Sequence, residues 1–223
     1  MLDIQILPPD DATPLPDLAS RWSLLFDEIA LTDSSKSLFA DLQKHYTNSK
    51  RMYHNFSHIH AMLKICEQYQ SEIENYRVLR LAVWYHDIIY QATRKDNEAK
   101  SAEYALKILA DSNLSAVELE QIKQLIISTK SHDILIDNFD NCLLLDADLG
   151  VLAASHEQYI RYTHAIREEY KIYPDFLYKK GRKKVLQHFL ERARIYFTEA
   201  FQAQHEMDAR QNLESEIKIF RTV

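Results

Sequence analysis

The sequence is most constrained by its shortage of glycine. Only two glycines occur among 223 residues, Gly150 and Gly181, and they lie far apart in the chain. Phosphate-binding loops and dinucleotide fingerprints need clustered glycines, and the serine elbow of the α/β-hydrolases needs flanking glycines. The chain therefore excludes these three kinds of site. With few prolines and plentiful Leu, Ala, Glu, Lys and Gln, the composition predicts an all-α fold.

Apolar residues recur at helical spacing along most of the chain, which indicates a succession of amphipathic helices. A third helix is expected to begin near Asn55 or Ser57, and a fourth to run from about Arg77 to Tyr90. Later helices are expected over about Cys142 to Ala154 and about His205 to Phe220. Because no repeat or linker interrupts this pattern, we predict a single compact helical bundle over residues 1–223.

Charge and apolar content limit the partners of the chain. It carries 27 Lys and Arg against 33 Asp and Glu, a formal net charge of −6, so nonspecific nucleic-acid binding is not expected. No apolar run approaches the roughly 18 residues that span a bilayer, so no membrane association is expected. The first ten residues lack the pattern of a secretory signal, and Cys66 and Cys142 lack metal-pair spacing. A cytoplasmic protein is therefore predicted.

The charge is unevenly distributed. Between Arg161 and Arg194 the chain has ten Lys and Arg residues but only four Asp and Glu residues, within the predicted C-terminal helices at about 155–223. A solvated helix face explains this excess, and so does a rim that attracts an anionic substrate.

Three segments carry candidate chemistry. His54 and His58 lie four residues apart, but Asn55 stands where a zinc protease needs glutamate. His86 and Asp87 lie inside an otherwise apolar predicted helix, where an imidazole and a carboxylate are costly to bury unless they are paired or bind a cation. Either Asp146 or Asp148 interrupts a further apolar helix in the same way. Each residue alone could be structural, whereas together they favour a metal site.

The order His, His-Asp, Asp on separate helices resembles the HD-domain superfamily of metal-dependent phosphohydrolases, over about residues 51–152. Residues 53–58, with the sequence YHNFSH, are similar to the first signature of class I cyclic-nucleotide phosphodiesterases. Residues 96–102, 165–170 and 181–182 resemble an uncharacterised bacterial and fungal branch of the superfamily. The resemblance implies an all-helical HD-domain bundle.

The same resemblance implies a set of roles. It assigns one general acid, His54, and it assigns the metal ligands, which are His58, His86, Asp87 and Asp148. The cofactor would be one or two divalent cations among Zn, Fe, Mn, Mg, Co and Ni. If a second ion binds, Asp87 is expected to bridge the two ions and His132 to supply an extra ligand.

Three further residues are candidates with structural alternatives. Glu98 either holds a metal-bound water or positions His54, or it is a first-turn glutamate that favours the helix dipole. Arg167 and Arg182 are candidate phosphate ligands because the guanidinium fork matches phosphate. Arg167 could instead form surface ion pairs with the neighbouring glutamates.

These features predict a metal-dependent phosphohydrolase that uses metal-activated water on a nucleotide or another small phosphate mono- or diester. One alternative is an HD-type di-iron oxygenase, although His132 is the one histidine between residues 88 and 147, where that class needs two. Another alternative is a non-catalytic nucleotide-binding module.

Overall fold

The computed structural model describes residues 15–220, which form ten α-helices and two short 3-10 helices without a β-strand. The all-α prediction is confirmed for this part of the chain, whereas the prediction about the first ten residues lies outside it. The α-helices are α1 (Leu15–Glu28), α2 (Ser35–Tyr46), α3 (Phe56–Gln68), α4 (Tyr76–Tyr85), α5 (Asn97–Leu109), α6 (Ala116–Ser128), α7 (Phe139–Asp148), α8 (His156–Glu169), α9 (Asp175–Glu191) and α10 (Glu199–Ile219). The 3-10 helices are Thr32–Ser34 and Gly150–Ala153.

Helices α3, α4 and α7 pack against one another at the centre of the bundle. Each begins with an asparagine whose side chain accepts a hydrogen bond from a backbone N–H of the first turn, which satisfies a group that the helix itself cannot. These caps are Asn55, Asn75 and Asn138. The apolar faces of the three helices join one continuous core that also includes residues of α1, α2 and the C-terminal helices.

Aromatic side chains attach the first two helices to this centre. The Trp22 ring of α1 stacks on Phe26 with 3.9 Å between centroids and meets Trp84 of α4 edge-on at 5.2 Å. Its indole N–H donates to the carbonyl of Ser35 at 2.8 Å, so the buried polar atom is satisfied. The N-terminal helices therefore cover one side of α4.

Helix α4 is shorter than the sequence pattern predicts. It ends at Tyr85, so His86 and Asp87 lie in a turn after the helix and not inside it. The reason is Arg51, whose guanidinium donates to the carbonyls of Asp87 at 2.6 Å and Ile88 at 2.8 Å. The guanidinium thus supplies the hydrogen bonds that these carbonyls would otherwise accept from N–H groups of a continued helix.

The predicted bounds of the later helices also shift. Helix α7 begins three residues earlier than expected and ends at Asp148, where the short 3-10 helix Gly150–Ala153 follows after one residue. Helix α10 begins at Glu199 and not near His205, because Thr198 caps it by accepting from the N–H of Phe201. Polar caps set these ends, and apolar periodicity alone does not locate them.

Across residues 15–220 we find no helix whose length and apolar content would let it traverse a bilayer.

Glu118 links the start of α6 to the start of α4. Its carboxylate accepts from the N–H of Ser115 at 2.9 Å, closing a capping box, and from Asn75 at 3.1 Å and Arg77 at 2.6 Å. The hydrogen bond from the Ser115 backbone, with those from Asn75 and Arg77, lowers the pKa of Glu118 from 4.5 to about 2. A carboxyl with a depressed folded-state pKa stabilises the fold above its unfolded pKa and loses that contribution as the pH falls.

We therefore expect Glu118→Gln, which keeps the shape but loses the charge, to reduce the free energy of unfolding at pH 7. The reduction should be only about 1 kcal/mol, because solvent screens the partly exposed ion pair. The difference from wild type should narrow below pH 4.5 and vanish near pH 2. Urea unfolding followed by circular dichroism at several pH values measures it. Glu120→Gln, on the same helix but paired at the surface with Lys123, is the control and should not change stability. A pH-independent difference for Glu118→Gln would contradict the assignment.

Candidate metal centre

Three donor side chains converge where the central helices end. His58 lies in the first turn of α3, His86 directly follows α4, and Asp148 is the last residue of α7. Nε2 of His58 lies 3.3 Å from Nε2 of His86 and 3.1 Å from Oδ1 of Asp148, and the latter atom lies 3.7 Å from Nε2 of His86. Both imidazoles are buried. Among the described residues, this group is placed as a metal site requires.

The spacing of these atoms fits a shared divalent cation. Ligand atoms about 2.1 Å from one ion lie about 3.0–3.4 Å from each other in octahedral or tetrahedral arrangements. Two of the three distances fall in this range and the third is slightly longer. Nδ1 of His86 donates to the carbonyl of Val83 at 2.9 Å, so Nε2 is the ring nitrogen that would bind an ion once its proton is displaced. The residues therefore fit a metal ion.

The electrostatics of the group are those of a cation site. Burial lowers the pKa of His58, which favours its neutral, metal-binding form. Burial also acts on His86, but the charge of Asp87 and its hydrogen bond outweigh it and raise the pKa of His86 to about 9. Two carboxylates thus face two buried imidazoles, and a cation at this place would satisfy both carboxylates without a proton.

Asp87 and His132 flank the three-donor group. Oδ2 of Asp87 lies 3.1 Å from Nε2 of His86, whereas Nε2 of His132 lies 3.0 Å from Oδ2 of Asp148. Asp148 therefore directs one oxygen to the buried histidines and the other to His132. The bridging role that the resemblance gives to Asp87 stays a prediction, but Asp148 has the arrangement of a bridging carboxylate.

Asp146 and Asp148, between which residue patterns did not decide, have different surroundings. The carboxylate of Asp146 accepts from the N–H groups of Phe197 and Thr198 at 2.7 and 2.8 Å and from the Thr198 hydroxyl at 2.7 Å. It is fully buried and attaches α7 to the segment before α10. Asp146 is therefore a structural anchor, and Asp148 is the residue at the donor group.

His54 lies beside this group in the turn before α3, so it does not share a helical face with His58 although the two are four residues apart. Its Nδ1 lies 2.6 Å from Oε2 of Glu169, and its ring stacks on Tyr90 with 4.2 Å between centroids. Burial lowers the pKa of His54, but the Glu169 carboxylate outweighs burial and raises it. The carboxylate therefore favours the protonated form of the imidazole and occupies its Nδ1.

Glu169 is a residue that sequence reasoning missed. Its buried carboxylate accepts from the backbone N–H groups of Tyr53 and His54 at 2.8 and 3.0 Å and from the Tyr90 hydroxyl at 2.8 Å. It is 115 residues from His54 in the chain. The available signal was its place on the apolar face of α8, three residues after Ile166, where a glutamate needs a partner.

A cavity of about 760 Å³ opens above the donor group. It exposes His54, Asp87, His132 and Asp148 to a space whose walls carry many aromatic side chains. The tyrosines of this wall are Tyr53, Tyr90, Tyr162, Tyr170, Tyr173 and Tyr178. Cationic side chains, Arg94, Lys130, Lys184 and Arg182, also line it. A cavity of this size accommodates a small organic molecule.

The other predicted residues occupy different positions around this cavity. Glu98 lines it from the first turn of α5, while the contact with His54 is made by Glu169. Arg182 lines it, but its fork is engaged by Glu216 at 2.8 and 3.0 Å. Arg167 binds Asp175, at 2.5 Å, and not the adjacent glutamates. Arg167 is not among the residues that line the cavity, and Arg182 could bind phosphate only if its carboxylate were displaced, so both roles stay predictions.

Comparison of the chain with protein-family models, with curated proteins and with solved structures finds no match.

The two aspartates of α7 provide a test of the metal centre. We expect Asp148→Asn to lower the metal content well below one ion per chain, because it removes the carboxylate shared by three histidines. Asp146→Asn should instead keep the metal and reduce the free energy of unfolding by about 1–3 kcal/mol, since it leaves a buried N–H unpaired. Elemental analysis and urea unfolding measure both effects. Loss of metal from Asp146→Asn with full retention in Asp148→Asn would assign the ligand role to Asp146 instead.

Proposed function

We propose that this chain is a metal-dependent phosphohydrolase of the HD-domain type, which hydrolyses a nucleotide or another small phosphate mono- or diester. The observation that supports the proposal best is the juxtaposition of two unlike groups in one cavity. His58, His86 and Asp148 have the spacing of metal ligands, and His54 lies next to them with its Nδ1 on the carboxylate of Glu169, which raises the pKa of the imidazole. Phosphate ester hydrolysis needs both functions: a centre of positive charge and a proton donor.

The protein residues and the cation have separate tasks in this reaction. When bound, a divalent cation offsets phosphate charge and lowers the pKa of water towards about 7. Nδ1 of His54 is fixed on Glu169, so the proton on Nε2 is the one available to a leaving oxygen. The stacked Tyr90 ring holds the imidazole plane, and its hydroxyl binds the same carboxylate. These contacts keep the acid oriented before the substrate enters.

The walls of the cavity favour a substrate with an anionic and a planar part. The tyrosine faces offer stacking surfaces for a nucleobase or another ring. Lys130, in the turn after α6, and Lys184, on α9, both line the cavity and add positive charge to it. This distribution supports a nucleotide as the substrate class.

The decisive experiment is elemental analysis of the purified protein, followed by a phosphate-release screen over nucleotides and simple phosphate esters with added Mn²⁺, Mg²⁺, Co²⁺ or Ni²⁺. His58→Ala should abolish both metal retention and release. The matched control is His60→Ala on the same helix, which removes a histidine paired with Asp17 and should change neither. A metal-loaded protein without phosphatase or phosphodiesterase activity would overturn the proposal. Iron-dependent oxygen consumption would favour the di-iron oxygenase instead.

His54 has a signature that separates an acid from a ligand. We expect His54→Ala to keep its metal and to lose about 10²–10⁴-fold in rate on an ester with a poor leaving group. On a nitrophenyl ester the loss should be much smaller, because that leaving group needs no proton. The control is His164→Ala, which changes an exposed histidine of α8. Equal losses on both esters would exclude the acid role.

Glu169 should set the pH range over which His54 works. Because the carboxylate raises the pKa of His54, its removal in Glu169→Gln should bring that pKa down. The basic limb of the pH–rate profile on the poor-leaving-group ester should then move to lower pH, with unchanged metal content. An unshifted limb would show that Glu169 serves the fold alone.

A further inference from the structure

The turn that carries His132 has an unusual backbone. His132 has a φ of 52°, in the left-handed region, and Ala30 is the other non-glycine residue with positive φ among residues 15–220. A non-glycine residue stays in this conformation only where surrounding contacts hold it. The side chain in question is the one that reaches Asp148, with 3.0 Å between Nε2 and Oδ2. His132, a candidate ligand, therefore has a backbone conformation that other contacts must stabilise.

Arg192, which follows the last residue of α9, provides that support. Its Nη1 donates to the carbonyl of His132 at 2.8 Å. Its Nη2 donates to the carbonyl of Ser131 at 2.6 Å and lies 3.1 Å from Oδ1 of Asp133. One guanidinium thus holds three consecutive residues of the turn, and its side chain is only 14% exposed.

Phe189, one helical turn earlier on α9, fixes the imidazole itself. Its ring meets the His132 ring edge-on with 5.7 Å between centroids, and the Arg192 guanidinium lies 5.2 Å above the Phe189 ring. The backbone and the ring of His132 are therefore both oriented from the end of the same helix. This arrangement meets the three-donor group of His58, His86 and Asp148 through the contact between His132 and Asp148.

We infer that Arg192 is a positioning residue, which holds His132 so that its Nε2 and Oδ2 of Asp148 bind a second divalent cation. The inference rests on the proposed metal-dependent function. It adds that binding of the second ion depends on Arg192, in the C-terminal part of the chain. The fork geometry matters, because lysine could reach one carbonyl but not three acceptors at once. Loss of a contact that orients a metal ligand lowers metal affinity by about 10–100-fold.

The experiment titrates the full-length, metal-stripped protein with Co²⁺ alone, by calorimetry and by the visible absorption of bound Co²⁺. Wild type should bind two ions with separate affinities. Arg192→Ala should weaken the second ion by about 10–100-fold and leave the affinity and spectrum of the first unchanged. Arg194→Ala, two residues away and stacked on Phe197, is the control and should match wild type.

A double-mutant cycle separates positioning from a general effect on the fold. In the His132→Ala background, Arg192→Ala should cause no further change in Co²⁺ affinity, because its effect passes through His132. Arg192→Lys should retain part of the second-site affinity, and it serves as the test if Arg192→Ala does not fold.

Three results would overturn the inference: binding of a single ion by wild type, an unchanged second ion in Arg192→Ala and Arg192→Lys, or an additive loss in the double variant. Absence of any bound Co²⁺ in wild type would overturn the proposed metal centre itself. The two failures are therefore distinguishable.

Discussion

Arg51 makes the contact on which the rest of the site depends. Its guanidinium donates to the carbonyls of His54, Asp87 and Ile88, at 3.3, 2.6 and 2.8 Å, and is buried beneath the ring of Tyr90. One side chain thereby joins the turn before α3 to the turn after α4. These turns carry His54, the proposed proton donor, and the His-Asp pair, so the buried guanidinium bound to backbone oxygens fixes their separation. A buried guanidinium needs hydrogen-bond acceptors, and the carbonyl groups of the two turns need a donor.

The position of the donors at helix ends follows from the same physics. The interior of each central helix packs on its neighbours with apolar side chains, and a charged group placed there would lose its hydration without compensation. At the helix ends, backbone groups remain free and the chain turns away, so polar side chains find partners and a cavity. Helix α7 shows the division clearly. Asp140 binds the N–H groups of residues 74 and 75, Asp146 anchors the segment before α10, and Asp148 faces the cavity.

The sequence predicted the helices from apolar periodicity, which is local, and it predicted the convergence of His58, His86 and Asp148 only through the resemblance to the HD-domain superfamily. It did not predict that α4 ends at Tyr85, since that end depends on hydrogen bonds made by a distant residue, Arg51. The choice between two aspartates two residues apart was also not readable, because it depends on which side of α7 meets the segment at 197–198. Glu169 illustrates the limit most sharply. Nothing near it in the sequence relates it to His54, and only the packing of α8 on the turn brings them together.

The C-terminal helices are therefore part of the site and not an appended layer. Their positive charge, for which a solvated face and a rim for an anionic substrate were the two expectations, is partly engaged inside the fold. Arg182 is neutralised by a buried carboxylate, while Arg192 holds the His132 turn. Lys184 faces the cavity and keeps its charge available there. Substitutions that neutralise Lys184 should consequently weaken substrate binding without loosening the bundle, whereas those at Arg182 disturb the fold first. The reason is that Glu216 would be left as a buried, unpaired charge.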